Sequence, residues 1–525
     1  MTLSGLTSQV NDLLCAANLL TWDARTQMPP GGAQTRGQQI ATLKGLAREA
    51  VLSDDMRRAC DAALTRTEGE CSETSARAEA LAVAAAIDHH SRLPARLLQA
   101  QVECAPMAQA AWAEARARSD FAIFLPWLER TVALAREQAE CLGYEGHPYD
   151  AMVAIFEPGE TAASLATLFD RLRAGLRRIL TDARRAPQPR SDFLYGAYPE
   201  AGQRAFAQAL AAHLGYDFSR GRLDTAVHPF EVSFTRQDVR ITTRFNPNYL
   251  AASIFGTAHE VGHALYEQGI APEYTRTALA TDLIGLYAVG GTSFGAHESQ
   301  SRLLEMHVAR DPVFWQQNFG RLVGHFPDQL AGVSAADFAA AVIRTHPGLI
   351  RVEADELSYD LHIMLRVEIE MALMDGSLKP ADVPEAWNAA MARDLDLVVP
   401  DDAQGCLQDV HWSSGYIGSF ATYTIGNVMA AQVMDTLRET VPSLSNDLQE
   451  GDLGSLHAAL TTHIWRHGRA LSRDALLRRL TGRALDPEPY LAHLERRYAP
   501  NGASDASTRK DPEAGLCTHS AAHDA

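Results

Sequence analysis

Apolar side chains recur along most of the chain at the three- and four-residue spacing of an amphipathic helix. Leu165, Leu168, Phe169, Leu172, Leu176, Ile179 and Leu180 are one clear run. The same pattern predicts helices over 33–50, 73–119, 121–142, 357–375, 418–441 and 452–482. Ser334 and Asp337 have the spacing of a capping box, and Asp311-Pro312 reads as an N-cap followed by proline at the first helical position. A two-residue period occurs in one place. Glu231 lies between Phe230 and Val232, which alternate on to Phe234; Arg236-Gln237-Asp238 turn, and Val239, Ile241, Thr243 and Phe245 alternate again. The pattern predicts a mainly α protein with one small β-hairpin.

No internal repeat and no Gly/Ser linker divides the 525 residues. Residues 1–500 are therefore expected to form one catalytic domain. Residues 501–525 are small and polar, and are expected to be a disordered tail in which His519 and His523 bind nothing. A net charge of −18 excludes a nucleic-acid surface of the usual basic kind. No apolar run approaches the length that spans a bilayer, and the first residues have no signal-peptide pattern, so no membrane partner is expected. Cys15, Cys60, Cys71, Cys104, Cys141, Cys406 and Cys517 are scattered and contain no CxxC pair, which suits a cytoplasmic protein.

The chemistry concentrates at His259-Glu260-Val261-Gly262-His263. Histidines at i and i+4 project from one helix face and can reach one tetrahedral zinc, while Glu260 can take a proton from water at the open position. Such a motif also arises by chance on solvated helices, but Ile254, Phe255, Val261 and Leu265 make this helix too apolar to be exposed. A third ligand is needed. Glu267 lies eight residues from His259, roughly 12 Å along the axis, too far to share a metal with both histidines. Glu273 follows the helix in a loop. His297 and Glu298 open a second helical stretch, and spacing alone does not choose between them.

With these residues in view, the chain resembles the Taq-type metallocarboxypeptidases, peptidase family M32. The resemblance rests on Asp238–Thr242, His259–His263, His297-Glu298-Ser299-Gln300-Ser301-Arg302, Ile350–Leu357 and Gly405–Trp412. Trp22–Pro29 and Gly418–Gly426 also fit. It implies a large helical metallopeptidase fold with a deep substrate groove and the small hairpin beside the HExxH helix. It implies Glu298 as third ligand, Glu260 as general base, a homodimer, and release of C-terminal residues from peptides with broad preference. The His/His/Glu set suits one divalent ion per chain: zinc first, with cobalt or manganese as substitutes. Two departures stand out. A short lead precedes Trp22, and Ala421 stands where the family usually has proline, which is expected to loosen the loop carrying Tyr423.

An exopeptidase must hold a free α-carboxylate, and a guanidinium does so with two parallel hydrogen bonds. Arg351 is the first candidate. Arg240 is the second, unless Asp238 holds it in a structural pair. His411 and Tyr423 are candidates for binding the substrate or the oxyanion. His89 and His90 are expected to be exposed, Cys406 buried and inert, and Trp22 a packing corner. The expected function is a metallocarboxypeptidase. The alternatives are a metallo-oligopeptidase or endopeptidase with the same metal set, and an inactive peptide-binding scaffold.

Overall fold

Helices form most of the computed structural model, which describes residues 2–498. The tail expected over 501–525 lies outside the described residues. In chain order the first helices are Leu3–Thr26 (α1), Ala33–Leu52 (α2), Asp54–Arg66 (α3), Ser75–Arg92 (α4) and Ala95–Arg118 (α5). Phe121–Leu142 (α6), Pro148–Phe156 (α7), Ala162–Arg185 (α8) and Glu200–His213 (α9) follow. The strands Leu223–Thr225 (β1), Glu231–Thr235 (β2) and Asp238–Thr243 (β3) then lead into Leu250–Gly269 (α10). Beyond it come Phe294–Arg302 (α11), Pro312–His325 (α12), Ala335–Val342 (α13), Glu356–Asp375 (α14) and Val383–Leu395 (α15). Ala421–Thr440 (α16), Leu444–Glu450 (α17), Gly454–His463 (α18), Arg473–Thr481 (α19) and Glu488–Tyr498 (α20) complete the order.

Three apolar clusters organise these elements. One lies among α1 to α4, around Val10, Leu14, Val51 and Met56. A second joins α5 to α8 with α14, α15 and α20, around Phe124, Leu172, Leu365 and Trp387. A third joins the sheet with α9, α10, α12 and α13, around Ile241, Phe255, Trp315 and Phe338. Helix α16 is the wall between the last two. Ile425 and Val428 belong to one side, and Met429, Val433 and Leu437 to the other.

The seven apolar positions predicted for α8 are all buried. Ser334 and Asp337 form their reciprocal cap, and Asp311 caps α12 ahead of Pro312. Two predicted long helices are broken. The 73–119 run divides at Leu93-Pro94, where Leu93 is extended because proline clashes with a helical residue before it. The 452–482 run divides into α18 and α19. The hairpin is present, with Val232 opposite Arg240, and gains a third strand: β1 pairs parallel with β3, giving the order β1-β3-β2.

Two further expectations are corrected. His90 is buried at 4% exposure, and its Nε2 lies 2.8 Å from the Leu283 carbonyl. Tyr423 stands on the first turn of α16, not on a loop. Ala421 opens that helix, and alanine supports the turn where the family's proline would fit a first helical position.

Candidate active site

Two helices bring the sequence candidates together. His259 and His263 project from one face of α10, and Glu298 faces them from α11. One ligand atom from each lies within 4.8 Å of the others. Glu298 Oε2 is 3.3 Å from His263 Nε2 and 3.6 Å from His259 Nε2. Metal–ligand bonds of about 2.0–2.1 Å in tetrahedral geometry place neighbouring donors roughly 3.3–3.4 Å apart, so both Glu298 contacts have the spacing of ligands that share one divalent ion. Close packing holds the distance. A Cβ added at Gly262 of α10 would lie 2.5 Å from Ser301 Cα, and one at Gly426 of α16 would lie 2.6 Å from Glu298 Cγ. Glycine at both positions lets α10 and α16 close on the helix carrying Glu298.

Behind each histidine stands a partner that the sequence reading did not assign. His259 Nδ1 is 3.1 Å from Glu305 Oε2, and Arg302 and Arg310 hold that carboxylate from the other side. Glu305 lies in Leu303–Ala309, where the helix of Glu298 continues with π-helical spacing. The spacing Glu298, Arg302, Glu305 follows one helix face and was a usable signal. His263 Nδ1 is 2.6 Å from His297 Nδ1, whose Nε2 is 3.0 Å from Glu267 Oε1. The backbone N–H groups of Gly290 and Gly291 donate to Glu267. For His263 to offer its Nε2 lone pair, its proton must sit on Nδ1 and point at His297. The His297 proton then sits on Nε2 and points at Glu267. Glu267 and His297, weighed above as ligands, thus lie behind the ligand set, in the place of groups that orient a ligand.

The electrostatics call for positive charge at the centre. Burial would push the Glu298 carboxyl up, but His259, His263 and Arg302 outweigh it and hold it at about 2. Burial opposes charge on His259, yet Glu298, Glu305 and Glu260 raise its pKa to about 9. His263, backed by a second imidazole, is held down to about 4, chiefly by burial. Two imidazoles facing one carboxylate do not both carry a positive charge, and the one with the extra acid keeps it. Glu260 differs from the other acids. It is 5% exposed, its Oε2 has no hydrogen-bond partner among the described residues, and burial raises its pKa to about 7.

Arg351, His411 and Tyr423 form one cluster. Arg351 Nε and Nη2 donate to Asp409 Oδ1 at 3.0 and 2.7 Å, and its Nη1 donates to the Tyr359 hydroxyl at 3.1 Å. Its guanidinium lies 5.1 Å over the Tyr423 ring. The Tyr423 hydroxyl is 3.3 Å from His411 Nε2, and the charge of Glu298 reaches both Tyr359 and Tyr423. Burial holds His411 down to about 4 against the pull of Asp409, so its imidazole is neutral at ordinary pH. Arg240 is elsewhere. It makes a bidentate pair with Asp238, 2.8 Å at each contact, and stacks 4.6 Å over Trp22. That pair uses Nε and Nη2, and the guanidinium also lies 4.8 Å over the Phe234 ring. Cys406 is a buried free thiol.

A helical fold presenting two imidazoles, an adjacent glutamate and a carboxylate from the next helix defines a metallopeptidase-type site. The chain matches the family described as Carboxypeptidase Taq (M32) metallopeptidase over residues 2–498. It is 38% identical over 498 residues to thermostable carboxypeptidase 1 of Thermus thermophilus, across 92% of this chain and 94% of that one. Carboxypeptidase 1 of Bacillus subtilis is 33% identical over 92% and 95% of the two chains. The crystal structure of the M32 carboxypeptidase from Deinococcus radiodurans superposes with a TM-score of 0.90 at 36% identity, covering 94% of this chain and 98% of that one. The chain belongs to the M32 carboxypeptidase family. It is a metallocarboxypeptidase, a hydrolase whose family implies a divalent metal.

Proposed function

We propose that this enzyme releases C-terminal residues from peptides with broad preference, using one divalent ion on His259, His263 and Glu298 and Glu260 as general base. The observation that carries the reading is the unpartnered, buried Oε2 of Glu260 beside three converging ligand atoms. A bound ion, with zinc favoured over cobalt or manganese by the donor set, would polarise the scissile carbonyl and acidify the attacking water. Glu260 Oε2 takes the water's proton and later donates it to the leaving nitrogen. Glu305 and His297 keep the ligand nitrogens of His259 and His263 aimed. Arg351 has five N–H groups and uses three, leaving one on each terminal nitrogen for the substrate carboxylate. Tyr423 and neutral His411 donate or accept beside it. Arg240 serves the fold.

The occupied part of the Arg351 fork also supports a second reading, an oligopeptidase or endopeptidase that needs no carboxylate anchor. Incubation of the metal-loaded enzyme with free-acid and C-terminally amidated peptides, read by mass, separates the two. The carboxypeptidase yields single residues from free acids and little from amides; internal fragments from both would overturn it. The resemblance also carries a homodimer, which light scattering checks. A cytoplasmic location is supported by free cysteines, and among the described residues no helix is long and apolar enough to cross a membrane.

A further inference from the structure

Away from the metal ligands, the π-helical segment, the start of α12, the end of α16 and α17 enclose a cavity of about 300 Å³. That is the lower end of the range for small-ligand pockets, roughly 300–1,000 Å³. Val308, Val313, Phe314, Leu448 and Leu453 give it an apolar lining. Its polar lining includes Arg438, Asp311 and His307, beside His213, Ser445 and Gln449. Arg438, on the last turn of α16, makes no hydrogen bond among the described residues, and its nearest acid, Asp311, is 3.9 Å away. Asp311 uses Oδ1 to cap α12 and leaves Oδ2 without a hydrogen bond among the described residues. His307 is 4% exposed, lies 4.2 Å from the His493 ring at a tilt of 44°, and has no hydrogen-bond partner among the described residues.

A loose, part-exposed Arg438–Asp311 ion pair without a direct hydrogen bond and a buried imidazole thus share one apolar cavity. Arg438 and Asp311 keep side-chain exposures of 34% and 28%, so an incoming ligand can reach both charges, and the buried His307 waits beside them. We infer that this cavity binds a free α-amino acid with an apolar side chain. Its carboxylate would sit on Arg438 and the His307 edge, its ammonium at Asp311 Oδ2, and its side chain among Val308, Phe314 and Leu448. The charges run in the order a zwitterion needs, and the apolar lining matches a single aliphatic or aromatic side chain. Such a molecule belongs to the class the enzyme releases. The pocket wall is the same π-helical segment whose Glu305 faces His259, so the site lies directly behind the ligand helix.

The test is equilibrium dialysis of leucine against the metal-loaded enzyme, alongside product-inhibition kinetics that report leucine in the active site. Two leucines per chain are expected for the wild type. Arg438→Gln is expected to weaken one of them about ten-fold or more while leaving competitive inhibition unchanged. Ser445→Trp, at the exposed rim, is expected to exclude the same leucine by filling the cavity. Leucinamide and N-acetylleucine, each lacking one of the two charges, should fail to occupy this site. A single leucine per chain, competed away by substrate and unaltered in both variants, would overturn the inference, as would unchanged binding of both leucines in Arg438→Gln.

Discussion

His263 and His297 face each other Nδ1 to Nδ1 at 2.6 Å, their rings stacked 21° from parallel. The two residues come from different helices, and the contact ties the ligand on α10 to the N-terminal turn of α11. Glu267 completes the line at 3.0 Å from His297 Nε2.

Breaking that line should loosen the metal without touching a ligand. His297→Ala is expected to lower metal affinity about 10- to 100-fold, with activity recovered at high metal concentration. Isothermal titration with zinc into chelator-stripped protein reads this directly. His263→Ala should lose the metal outright, and full activity of exhaustively stripped wild type would rule out the metal assignment altogether.

Glu260→Gln keeps size and polarity and removes only the base. Metal content should be unchanged while kcat falls by about 10² or more. Because the Glu260 side chain has no hydrogen-bond partner at Oε2 among the described residues, the substitution breaks no contact seen there, and the melting temperature should hold or rise.

Arg351→Ala is expected to cut kcat/KM on free-acid peptides by about 10² to 10³, with little effect on an amidated peptide. Arg240→Ala should show no carboxylate-specific loss, because its guanidinium is paired with Asp238 and lies over the Trp22 and Phe234 rings. Steady-state kinetics on the matched peptide pair decides. The reverse pattern would move the anchor to the hairpin.

Asp409 supplies a pH-dependent test. Burial would raise its carboxyl, but the Arg366 and Arg351 guanidiniums outweigh burial and hold it far below the ordinary value of 3.8. A depressed acid stabilises the fold above its unfolded pKa, and the contribution is lost as pH falls below it. Asp409→Asn should therefore be less stable than wild type by about 3–5 kcal/mol at neutral pH, since two buried guanidiniums lose their partner. The gap should narrow as pH drops below about 4. Denaturation midpoints measured across that range give the answer, and a gap independent of pH would show that the pair is not what stabilises this corner.

Much of this molecule is local and was legible in order along the chain. The period of α8, the caps of α12 and α13, the β2–β3 turn and the two histidines one turn apart all follow from the preferences of neighbouring residues. The division at Leu93-Pro94 was missed by a reading that ran one helix over 73–119, although proline restricts the residue before it. Tertiary structure decided what lies across elements. Nothing local separates Glu298 from His297; the helix that Gly262 and Gly426 admit turns Glu298 Oε2 to within 3.3 and 3.6 Å of His263 and His259, and His297 Nε2 toward Glu267. Nothing local pairs β1 with β3, or Arg351 with Asp409 58 positions away. Those contacts depend on which faces the three apolar clusters bury, and a single chain position carries no record of the distant side chain that burial will bring beside it.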